Sequence, residues 1–529
     1  TLEAIDTSLG QIVKSVCYVL GCTYLLYEIG QFLFLFLKNI SVEQENESGW
    51  LNQLRQRHPL SIPFFAVLLF WLPHLIIAYP GYMCYDAWYQ LSQYFGAYPF
   101  TSHHPPIHTL FLGMFAQLGL KTGNGSIGLY LSIVVQALIE AAIFARVFLL
   151  MGRWKTPKWL QIGSFFTVTV APYYTSYMNL ALKDNLYAVF LLLFVLECIC
   201  ILEEGKHYFV GWKHKILLSI AIMGTLLFRN NGKYALYPTM LGLLIYLGIT
   251  WRKNGSKKDF IKAIGCFLGP VFLSSIVTMT VTTHYRIENG SIREALSLPF
   301  QQTARYVLER GNEVTEEEAQ VIEAVLDYEH LAEKYNPRIS DPVKSTYKDS
   351  ASREDLLKYL LTWFKMFFKH PEIYIKATIN QNYYLLYPFT ENAVLYNSTF
   401  PNGVNHPTTA ANAQLGITVP ESLQTAKTTM SSLYQVLFSL PIIGPLSHQA
   451  PYNLLLIALF LFVINQKNWK WLVLSIPLIF SDIIIILAPV IQGHPRYAFP
   501  IIYAMPIMLA YYIYLEQAKI CLDVEKTLR

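Results

Sequence analysis

Charged side chains are scarce in this sequence. Asp, Glu, Lys and Arg make up 14% of the 529 residues, against about 25% in ordinary soluble domains. Hydrophobic residues make up 53%, and several apolar runs reach the roughly 20 residues needed to cross a bilayer. These proportions exclude a conventional soluble enzyme and predict an all-α polytopic membrane protein. The net charge of +5 is mild and indicates no nucleic-acid partner.

Metal-type cysteine spacings, a P-loop and a basic leader are also missing. The seven cysteines lie mostly in apolar runs, and Cys84 has no cysteine near it, so no disulfide framework is expected. The absence of a P-loop excludes that class of nucleotide site. The first apolar run, about 11–37, is too long for a signal core, so no cleavable signal peptide is expected.

The hydropathy pattern predicts eleven membrane helices, near residues 11–37, 61–80, 128–150, 159–177, 184–203, 214–229, 234–251, 260–283, 451–466, 470–490 and 497–515. Two shorter apolar runs, 107–120 and 431–447, are predicted to lie at the membrane interface or to dip into it. With this count, all loops rich in Lys and Arg fall on one side, which is cytoplasmic by the positive-inside rule. Those loops are 151–158, 204–215, 252–262, 467–470 and the C-terminal end.

The opposite, extracytoplasmic face receives short connections around 178–184, 229–234 and 491–496 and two longer stretches. The first outer loop, 81–127, belongs to a membrane module that covers residues 1–283. A mostly helical outer segment, 284–430, follows it and leads into a second membrane module, 431–529. The predicted location is the cell membrane.

Two capping patterns predict helices within the outer segment. Thr315 and Glu318 form a capping box, and Ser352 precedes a helix that runs to Lys369. That second helix carries a broad apolar face, which either packs on the rest of the segment or rests on the membrane surface. Packing is the favoured interpretation. Residues 397–421 are rich in Asn, Thr, Pro and Gly and predict a loop over the site.

Asp86 and the run Ser102-His103-His104-Pro105-Pro106 share the first outer loop. Ionisable side chains at a membrane exit are costly unless they bind something. Asp86 could act as a general base or ligate a divalent cation such as Mg²⁺ or Mn²⁺, and a helix cap is the alternative. The prolines fix an extended backbone, so His103 and His104 could contact phosphate, shuttle a proton or ligate a metal. A structural role in the loop is the alternative for both histidines.

Cationic and amide side chains recur at two further outer connections. Lys183 and Asp184 begin a membrane helix, where they form either a surface salt bridge or a phosphate contact. Arg229 precedes Asn230 and Asn231 where one helix emerges and the next returns. This arginine either snorkels toward water or binds a phosphate, for which its geometry is well suited.

The last outer connection and the outer segment supply the remaining candidates. His494, Arg496 and Tyr497 repeat the theme of a cation beside a turn fixed by proline. Gln301 and Arg305 lie four residues apart on a predicted helix and could join them. Together these residues predict a phosphate-binding surface on the outer face.

Four ionisable residues lie inside predicted spans. Glu197 and Arg146 are near the cytoplasmic ends of their helices and can reach water, whereas Asp482 is nearer mid-span and Glu140 is also intramembrane. Intramembrane acids often mark ion pathways, which keeps a flippase or transporter as an alternative. Most candidate residues, however, lie on one face, and this favours an enzyme.

At these residues the chain resembles the GT-C superfamily of membrane glycosyltransferases, and the likeness is closest to bacterial members. The pattern begins with a span, an outer loop containing Asp86, the Pro105-Pro106 element, an interfacial helix and a long span entered through Gly128. It continues with Lys183-Asp184, Arg229-Asn230-Asn231-Gly232, a late outer domain and Arg496-Tyr497. The likeness covers most of residues 60–515.

The resemblance implies that Asp86 is the catalytic base, or a metal-binding acid as in metal-dependent members. It implies that Arg229, Lys183 and Arg496 hold the phosphate of a polyprenyl-phosphate-linked sugar donor within the membrane lipid. The sugar would pass to an envelope glycan, lipid or polymer. Many members carry paired acids in the first loop, whereas this sequence has one. A polymerase or ligase of lipid-linked glycans would use similar outer cations and stays open as an alternative.

Overall fold

The computed structural model describes residues 57–254, 257–388, 415–441, 443–465, 467–488 and 491–528, together with scattered residues between 13 and 35. The predicted span 11–37 therefore lies mostly outside the described residues. In the described ranges, the only strands form one parallel two-residue pair, β1 (Tyr82–Met83) with β2 (Leu180–Ala181). The predicted all-α class is confirmed.

Seven helices in the described ranges are long and apolar enough to cross a membrane. They are Ser61–Ala78, Gly125–Arg153, Lys183–Phe209, Gly232–Trp251, Lys257–His284, Trp469–Leu487 and Pro495–Ala518, and Ala450–Leu461 is a shorter apolar helix. The chain is thus a multi-pass helical membrane protein. This count falls short of the eleven predicted spans.

The first membrane module contains α1 (Ser61–Ala78), α2 (Tyr85–Tyr94), α3 (Pro106–Lys121), α4 (Gly125–Arg153), α5 (Lys158–Val170), α6 (Pro172–Met178), α7 (Lys183–Glu204), α8 (Trp212–Phe228), α9 (Gly232–Asn254) and α10 (Lys257–His284). Helix α7 lies at its centre. The most apolar stretch of α7 is buried along its whole length, as expected for a helix that is apolar on all sides.

The outer segment contains α11 (Ser297–Arg310), α12 (Glu316–Glu323), α13 (Tyr328–Lys334), α14 (Asp341–Lys344), α15 (Arg353–Lys369) and α16 (Pro371–Asn382). The second membrane module contains α17 (Glu421–Ser439), α18 (Ile443–Leu446), α19 (Ala450–Asn465), α20 (Trp469–Leu487) and α21 (Phe499–Leu528). Of the predicted loop 397–421, residues 397–414 lie outside the described residues.

Contacts between distant loops define two ends of the helix bundle. At one end β1 pairs with β2, and the Gln492 backbone N–H donates to the Arg338 carbonyl oxygen at 2.8 Å. At the other end Lys470 Nζ lies 3.0 Å from Glu203 Oε1. We call the first the site end. We call the second the basic end, because the loops rich in Lys and Arg adjoin it.

One predicted span is divided in the structure. Residues 159–177 were expected to form one helix, but α5 and α6 are separated at Ala171, whose ψ of 136° is extended. Pro172 follows Ala171, and a proline ring disfavours helical geometry in the residue before it. The prediction was wrong because the apolar run was read without this restriction. Helix α6 is buried at the site end and leads into β2.

The run Gly123-Asn124-Gly125-Ser126-Ile127-Gly128 has the G-x-G-x-x-G spacing of a dinucleotide site, but it opens α4 without a preceding strand. A Cβ atom on Gly119 of α3 would lie 2.6 Å from the Gly128 backbone nitrogen. Glycine at these positions lets α3 pack directly on α4. The spacing therefore serves helix packing, and without the strand it does not indicate a nucleotide site.

Both predicted caps of the outer segment are confirmed. Thr315 Oγ1 accepts from the Glu318 N–H at 3.2 Å, and Ser352 Oγ accepts from the Asp355 N–H at 3.1 Å. The inner side of α15 packs into the core of the segment, where Tyr359 is fully buried. The favoured interpretation, packing, thus holds for one side of this helix.

A buried charge cluster lies near the basic end. Glu197 was expected to reach water, but its side chain is 0% exposed and forms an ion pair with Arg146. Tyr208 donates its hydroxyl proton to Glu197 Oε2 at 2.7 Å, and His214 Nδ1 lies 3.6 Å from the same oxygen. The expectation was wrong for Glu197, because α7 is enclosed by other helices to its last turns.

Candidate functional site

The strand pair sets the position of Asp86. Tyr82 pairs with Leu180. Asp86 follows Tyr82 by four residues, and Lys183 follows Leu180 by three. Gly81 precedes β1 with φ of +108°, and a Cβ there would lie 2.7 Å from the Ile133 side chain. Only glycine combines that backbone conformation with so close an approach. The ladder therefore brings the first turns of α2 and α7 together.

Helix polarity favours one of these two charges and disfavours the other. Asp86 lies in the first turn of α2, where the partial positive charge of the helix N-terminus stabilises a carboxylate. Lys183 begins α7, where the same partial charge destabilises an ammonium group. The carboxylate of Asp86 compensates for this, with Lys183 Nζ 2.5 Å from Asp86 Oδ2.

A second cation reaches the same carboxylate oxygen from the opposite end of the sequence. Arg496 Nη1 lies 3.3 Å from Asp86 Oδ2. Burial alone would raise the pKa of Asp86, but Lys183 and Arg496, followed by His104, hold this pKa well below its usual value. Asp86 is therefore ionised at neutral pH and is shared by two cations.

The hydrogen bond between Lys183 and His104 fixes the protonation of the imidazole. Lys183 Nζ lies 3.1 Å from His104 Nδ1. An ammonium group can only donate, so Nδ1 accepts and the ring proton of neutral His104 is on Nε2. Burial, and then Lys183, lower the pKa of His104 well below its usual value. The side chain is thus a neutral Nε2–H donor.

Aromatic rings surround this imidazole. The ring centroids of Tyr89 and His104 are 5.6 Å apart, and those of His103 and His104 are 4.6 Å apart. Burial lowers the pKa of His103, and a smaller, opposite effect comes from Glu294. Both histidines are therefore neutral hydrogen-bonding groups at neutral pH.

Arg229 is held by a carboxylate and two aromatic rings. Its Nη1 lies 2.6 Å from Asp184 Oδ1. The guanidinium carbon lies 5.0 Å from the centroid of the Tyr187 ring and 5.8 Å from that of Tyr497. Cation–π contacts of this kind stabilise a desolvated arginine. Arg229 and Asp184 therefore form a neutralised pair beside the Asp86 group.

Tyr497 connects the two arginines. The guanidinium carbon of Arg496 lies 5.0 Å from the Tyr497 ring centroid, and Arg496 Nη2 donates to the Tyr497 hydroxyl oxygen at 3.0 Å. His494 is 7% exposed, and burial, with a further effect of Arg496, lowers its pKa to about 4. The last outer connection thus supplies one cation, one ring and one neutral imidazole.

Asn230 and Asn231 have backbone contacts rather than contacts to the charged groups. Asn230 Nδ2 donates to the carbonyl oxygens of Ser102 at 2.9 Å and His103 at 3.3 Å. The Asn231 carbonyl oxygen accepts from the Tyr234 N–H at 3.0 Å at the start of α9. These residues tie the connection after α8 to the loop that carries the histidines.

Gln301 and Arg305 lie within the outer segment. Gln301 Nε2 donates to the Asn336 carbonyl oxygen at 2.8 Å. Arg305 Nε donates to Glu309 Oε1 at 2.7 Å, and its Nη1 donates to the Tyr335 hydroxyl oxygen at 3.3 Å. Both side chains thus support the fold of the segment, whereas the structure brings together Asp86, His103, His104, Lys183, Asp184, Arg229, His494, Arg496 and Tyr497.

Two features of the site were missed in the sequence. Tyr187 lies one turn after Lys183, so the helical repeat of α7 could have identified it. Lys344 Nζ lies 2.7 Å from Glu294 Oε2, and this pair comes from the outer segment toward His103. Fifty residues separate its members, and no local pattern connects them. Burial would raise the pKa of Glu294, but Lys344 lowers it below its ordinary value.

The predicted divalent-cation site, with Asp86 and His103 as possible ligands, finds no support in this geometry. In the described part of the chain, no group of three or more His, Cys, Asp or Glu residues could hold a metal ion. Two cations already contact Asp86 Oδ2, and they would repel a third. The charged groups fit an anion better than a metal.

A family model described as a family of unknown function, DUF6020, matches residues 97–521, about four fifths of the chain. The chain belongs to this family. No curated protein and no solved structure matches it. The matched residues of this DUF6020 protein include His104, Lys183, Arg229 and Arg496, whereas Asp86 precedes them.

Proposed function

We propose that this DUF6020 protein is an extracytoplasmic glycosyltransferase. It would transfer a sugar from a polyprenyl-phosphate-linked donor to an envelope glycan, lipid or polymer. The observation that carries the proposal is the buried group in which Lys183 and Arg496 share the Asp86 carboxylate. An acid and two cations on one surface suit the attacking and leaving groups of a sugar transfer.

The proposed topology has eleven spans, with the site end outside the cell. In addition to the seven long apolar helices, it uses α5, α8, α19 and the run 11–37. Successive helices then alternate in direction, and the basic loops lie in the cytoplasm as the positive-inside rule requires. The site end would meet the outer leaflet, where a lipid-linked donor can enter sideways.

The donor phosphate would bind between Lys183 and Arg496. Arg229 is already neutralised by Asp184, so it contributes to the field of the site and supports Tyr497 rather than making the main contact. Counted over these four charged side chains and Asp86 alone, the three cations exceed the two acids by one. That excess favours an anionic ligand in a poorly solvated site. The Nε2–H group of His104 could supply a further hydrogen bond to the phosphate.

The reaction would be an inverting displacement at the anomeric carbon. The acceptor oxygen forms a bond to that carbon while the bond to the phosphate oxygen breaks. The electron pair leaves with the phosphate, whose charge Lys183 and Arg496 neutralise. The acceptor hydroxyl proton passes to Asp86. Both cations contact Oδ2, which leaves Oδ1 as the oxygen that would receive it.

Donor binding would also make Asp86 a stronger base. In the structure the two cations hold its pKa well below the usual value, and such a carboxylate is a weak base. A phosphate that draws Lys183 and Arg496 toward itself would weaken their hold on Asp86 and raise this pKa. The site would thus activate its base only when the donor is present.

The proposal is tested with purified protein in lipid nanodiscs. Lipids that copurify with the protein are identified by mass spectrometry, and a lipid extract of the source membranes then serves as donor. We expect release of polyprenyl monophosphate that depends on Asp86 and continues in EDTA. If no acceptor added to the assay leads to release of polyprenyl monophosphate, the result would count against a transferase. Loss of release in EDTA, restored by Mg²⁺, would require a metal.

A further inference from the structure

Helix α15 has two apolar sides. Tyr359 and Met366 point into the core of the outer segment. On the other side, four large apolar residues are between 53% and 68% exposed, at spacings of four, three and four residues: Leu357, Leu361, Phe364 and Phe368. This spacing forms one continuous stripe along the helix.

Helix α16 continues the exposed apolar surface. Its inner residues, Ile373 and Tyr374, belong to the same core as Tyr359. Its outer residues and those that follow it are between 40% and 53% exposed: Ile375, Ile379, Tyr383 and Leu386. We call these four residues, together with the stripe of α15, the apolar face. Large exposed apolar side chains grouped on two helices of one core, rather than scattered singly, mark a contact with a partner or a membrane.

Lysines border this face. Lys358, Lys365 and Lys369 each follow a stripe residue by one position, which places them along one edge of the stripe. Lys358 contacts Glu354 at 2.8 Å and Lys369 contacts Glu318 at 2.6 Å. Residues 357–371 contain no acid. An apolar stripe edged by lysines is typical of helices that lie at the surface of a membrane with anionic lipids.

The segment that follows α16 contacts two helices of the second membrane module. Asn453 Nδ2 of α19 donates to the Leu385 carbonyl oxygen at 3.1 Å, and Leu385 clusters with Ile485 of α20. At the last residue of α20, Leu487 is 55% exposed. Leu386, which follows Leu385, and Leu487, two residues after Ile485, are both exposed, so exposed apolar side chains of the outer segment and of a membrane span lie on either side of the same contact. This neighbourhood of a span favours lipid as the occupant.

We propose that the apolar face of α15 and α16 lies on the membrane surface at the site end, with its side chains among the lipid acyl chains. Lys365 would extend past its neighbours to the lipid phosphates, as long cationic side chains do at interfaces. This inference is independent of the proposed reaction. Contact with the membrane would anchor the outer segment. In this segment the Arg338 carbonyl oxygen accepts from the Gln492 N–H, four residues before Arg496.

The test replaces Phe364 or Ile379 by the photoreactive residue benzoylphenylalanine in the full-length protein. Each variant is placed in nanodiscs that contain phosphatidylglycerol and phosphatidylcholine, illuminated and analysed by mass spectrometry. Glu317 of α12, which is also exposed, provides the matched control position. We expect lipid adducts at Phe364 and Ile379 that exceed those at Glu317 several-fold. Thermal unfolding must match that of the unmodified protein, and Leu361 replaces Phe364 if it does not.

Three results would overturn the proposal. Adducts at Phe364 no more frequent than at Glu317 would place the stripe in water. Cross-links to a second copy of the chain, seen as a covalent dimer, would make the face a protein interface. Cross-links to another segment of the same chain would make it internal. A fall in the phosphatidylglycerol share of the adducts in Lys365→Gln would support the role of the lysine.

Discussion

Both ends of the bundle contain clusters of charged side chains, but the acids and cations of the two clusters are balanced differently. Near the basic end, Glu197 pairs with Arg146 and Glu203 pairs with Lys470, while tyrosine hydroxyls fill further positions on both acids. At the site end, Asp86 is shared by Lys183 and Arg496. The first cluster contains two acids and two cations, whereas the five charged side chains Asp86, Lys183, Asp184, Arg229 and Arg496 carry a net charge of +1 among themselves.

We expect this difference to separate charges that stabilise the fold from charges that bind the proposed donor. A buried pair with matched partners is costly to disturb and has little left to offer a substrate. Two cations on a single carboxylate oxygen could turn toward a phosphate, and their weaker hold on Asp86 would then raise the pKa of its carboxyl group. Substitutions at the site end should therefore lower the activity of the folded protein, whereas substitutions near the basic end should lower stability alone.

The largest expected effect belongs to Asp86→Asn. The amide cannot take the proton of the acceptor hydroxyl, so the rate of polyprenyl monophosphate release should fall by about 10²- to 10⁴-fold, the range for a lost general base. The variant should also unfold at a lower temperature, because Lys183 and Arg496 lose the carboxylate that they share, so rates are compared per folded protein. Release is measured in nanodiscs. Activity within a few-fold of wild type would remove Asp86 from the mechanism.

Glu197→Gln should lower stability without lowering the activity of the folded protein. It leaves Arg146 buried without its carboxylate, and breaking such a pair costs about 3–5 kcal/mol. We expect a clear drop in the unfolding temperature, with the activity of the protein that remains folded unchanged. A variant that keeps its stability and loses its activity would reverse the contrast between the two clusters.

Lys183→Gln should weaken donor binding. Loss of one charge-assisted contact to the phosphate is worth about 1.5–3 kcal/mol, which corresponds to about a 10- to 100-fold rise in KM for the donor. Lys233 lies at the same end and is exposed, so Lys233→Gln is the matched control. Equal effects of the two substitutions would indicate a general field rather than a specific contact.

The last prediction concerns the dependence of stability on pH. His494 has a pKa near 4 in the folded protein and about 6.5 when unfolded, so the unfolded chain binds its proton first as pH falls. The stability that His494 contributes is complete above pH 6.5 and is lost as pH falls toward 4, up to about 3 kcal/mol.

The measurement compares His494→Gln with the wild type by thermal unfolding between pH 7 and 4.5. The substitution should flatten the fall in unfolding temperature across this range. His330→Gln removes an exposed histidine of the outer segment and should leave the fall unchanged. An equal flattening by both substitutions would mean that His494 is not the group that titrates.

Much of the architecture could be predicted because a bilayer imposes simple rules. Length and hydropathy predicted the all-α membrane class, and the Thr315 and Ser352 caps came from local hydrogen-bonding chemistry. The division of the span 159–177 at Ala171 was missed, because one proline counts little in a hydropathy average.

The assembly of the site depends on contacts that no local pattern contains. Asp86 and Arg496 are 410 residues apart in the sequence, and each was chosen for its place at a membrane exit. Their convergence on one oxygen, and the neutralisation of Arg229 by Asp184, required the three-dimensional arrangement. The proposed reaction and its lipid-linked donor remain predictions from the sequence.

The two-residue ladder β1–β2 makes the number of residues between it and the charged side chains important for the site. Asp86 lies three residues beyond Met83, and Lys183 lies two residues beyond Ala181, the partner of Met83 in the ladder. A single inserted residue after Met83 would turn the carboxylate by about 100° around the α2 axis, because each helical residue advances by that angle. The short segments between the ladder and these two residues should therefore tolerate no insertion, even where the side chains around them can vary.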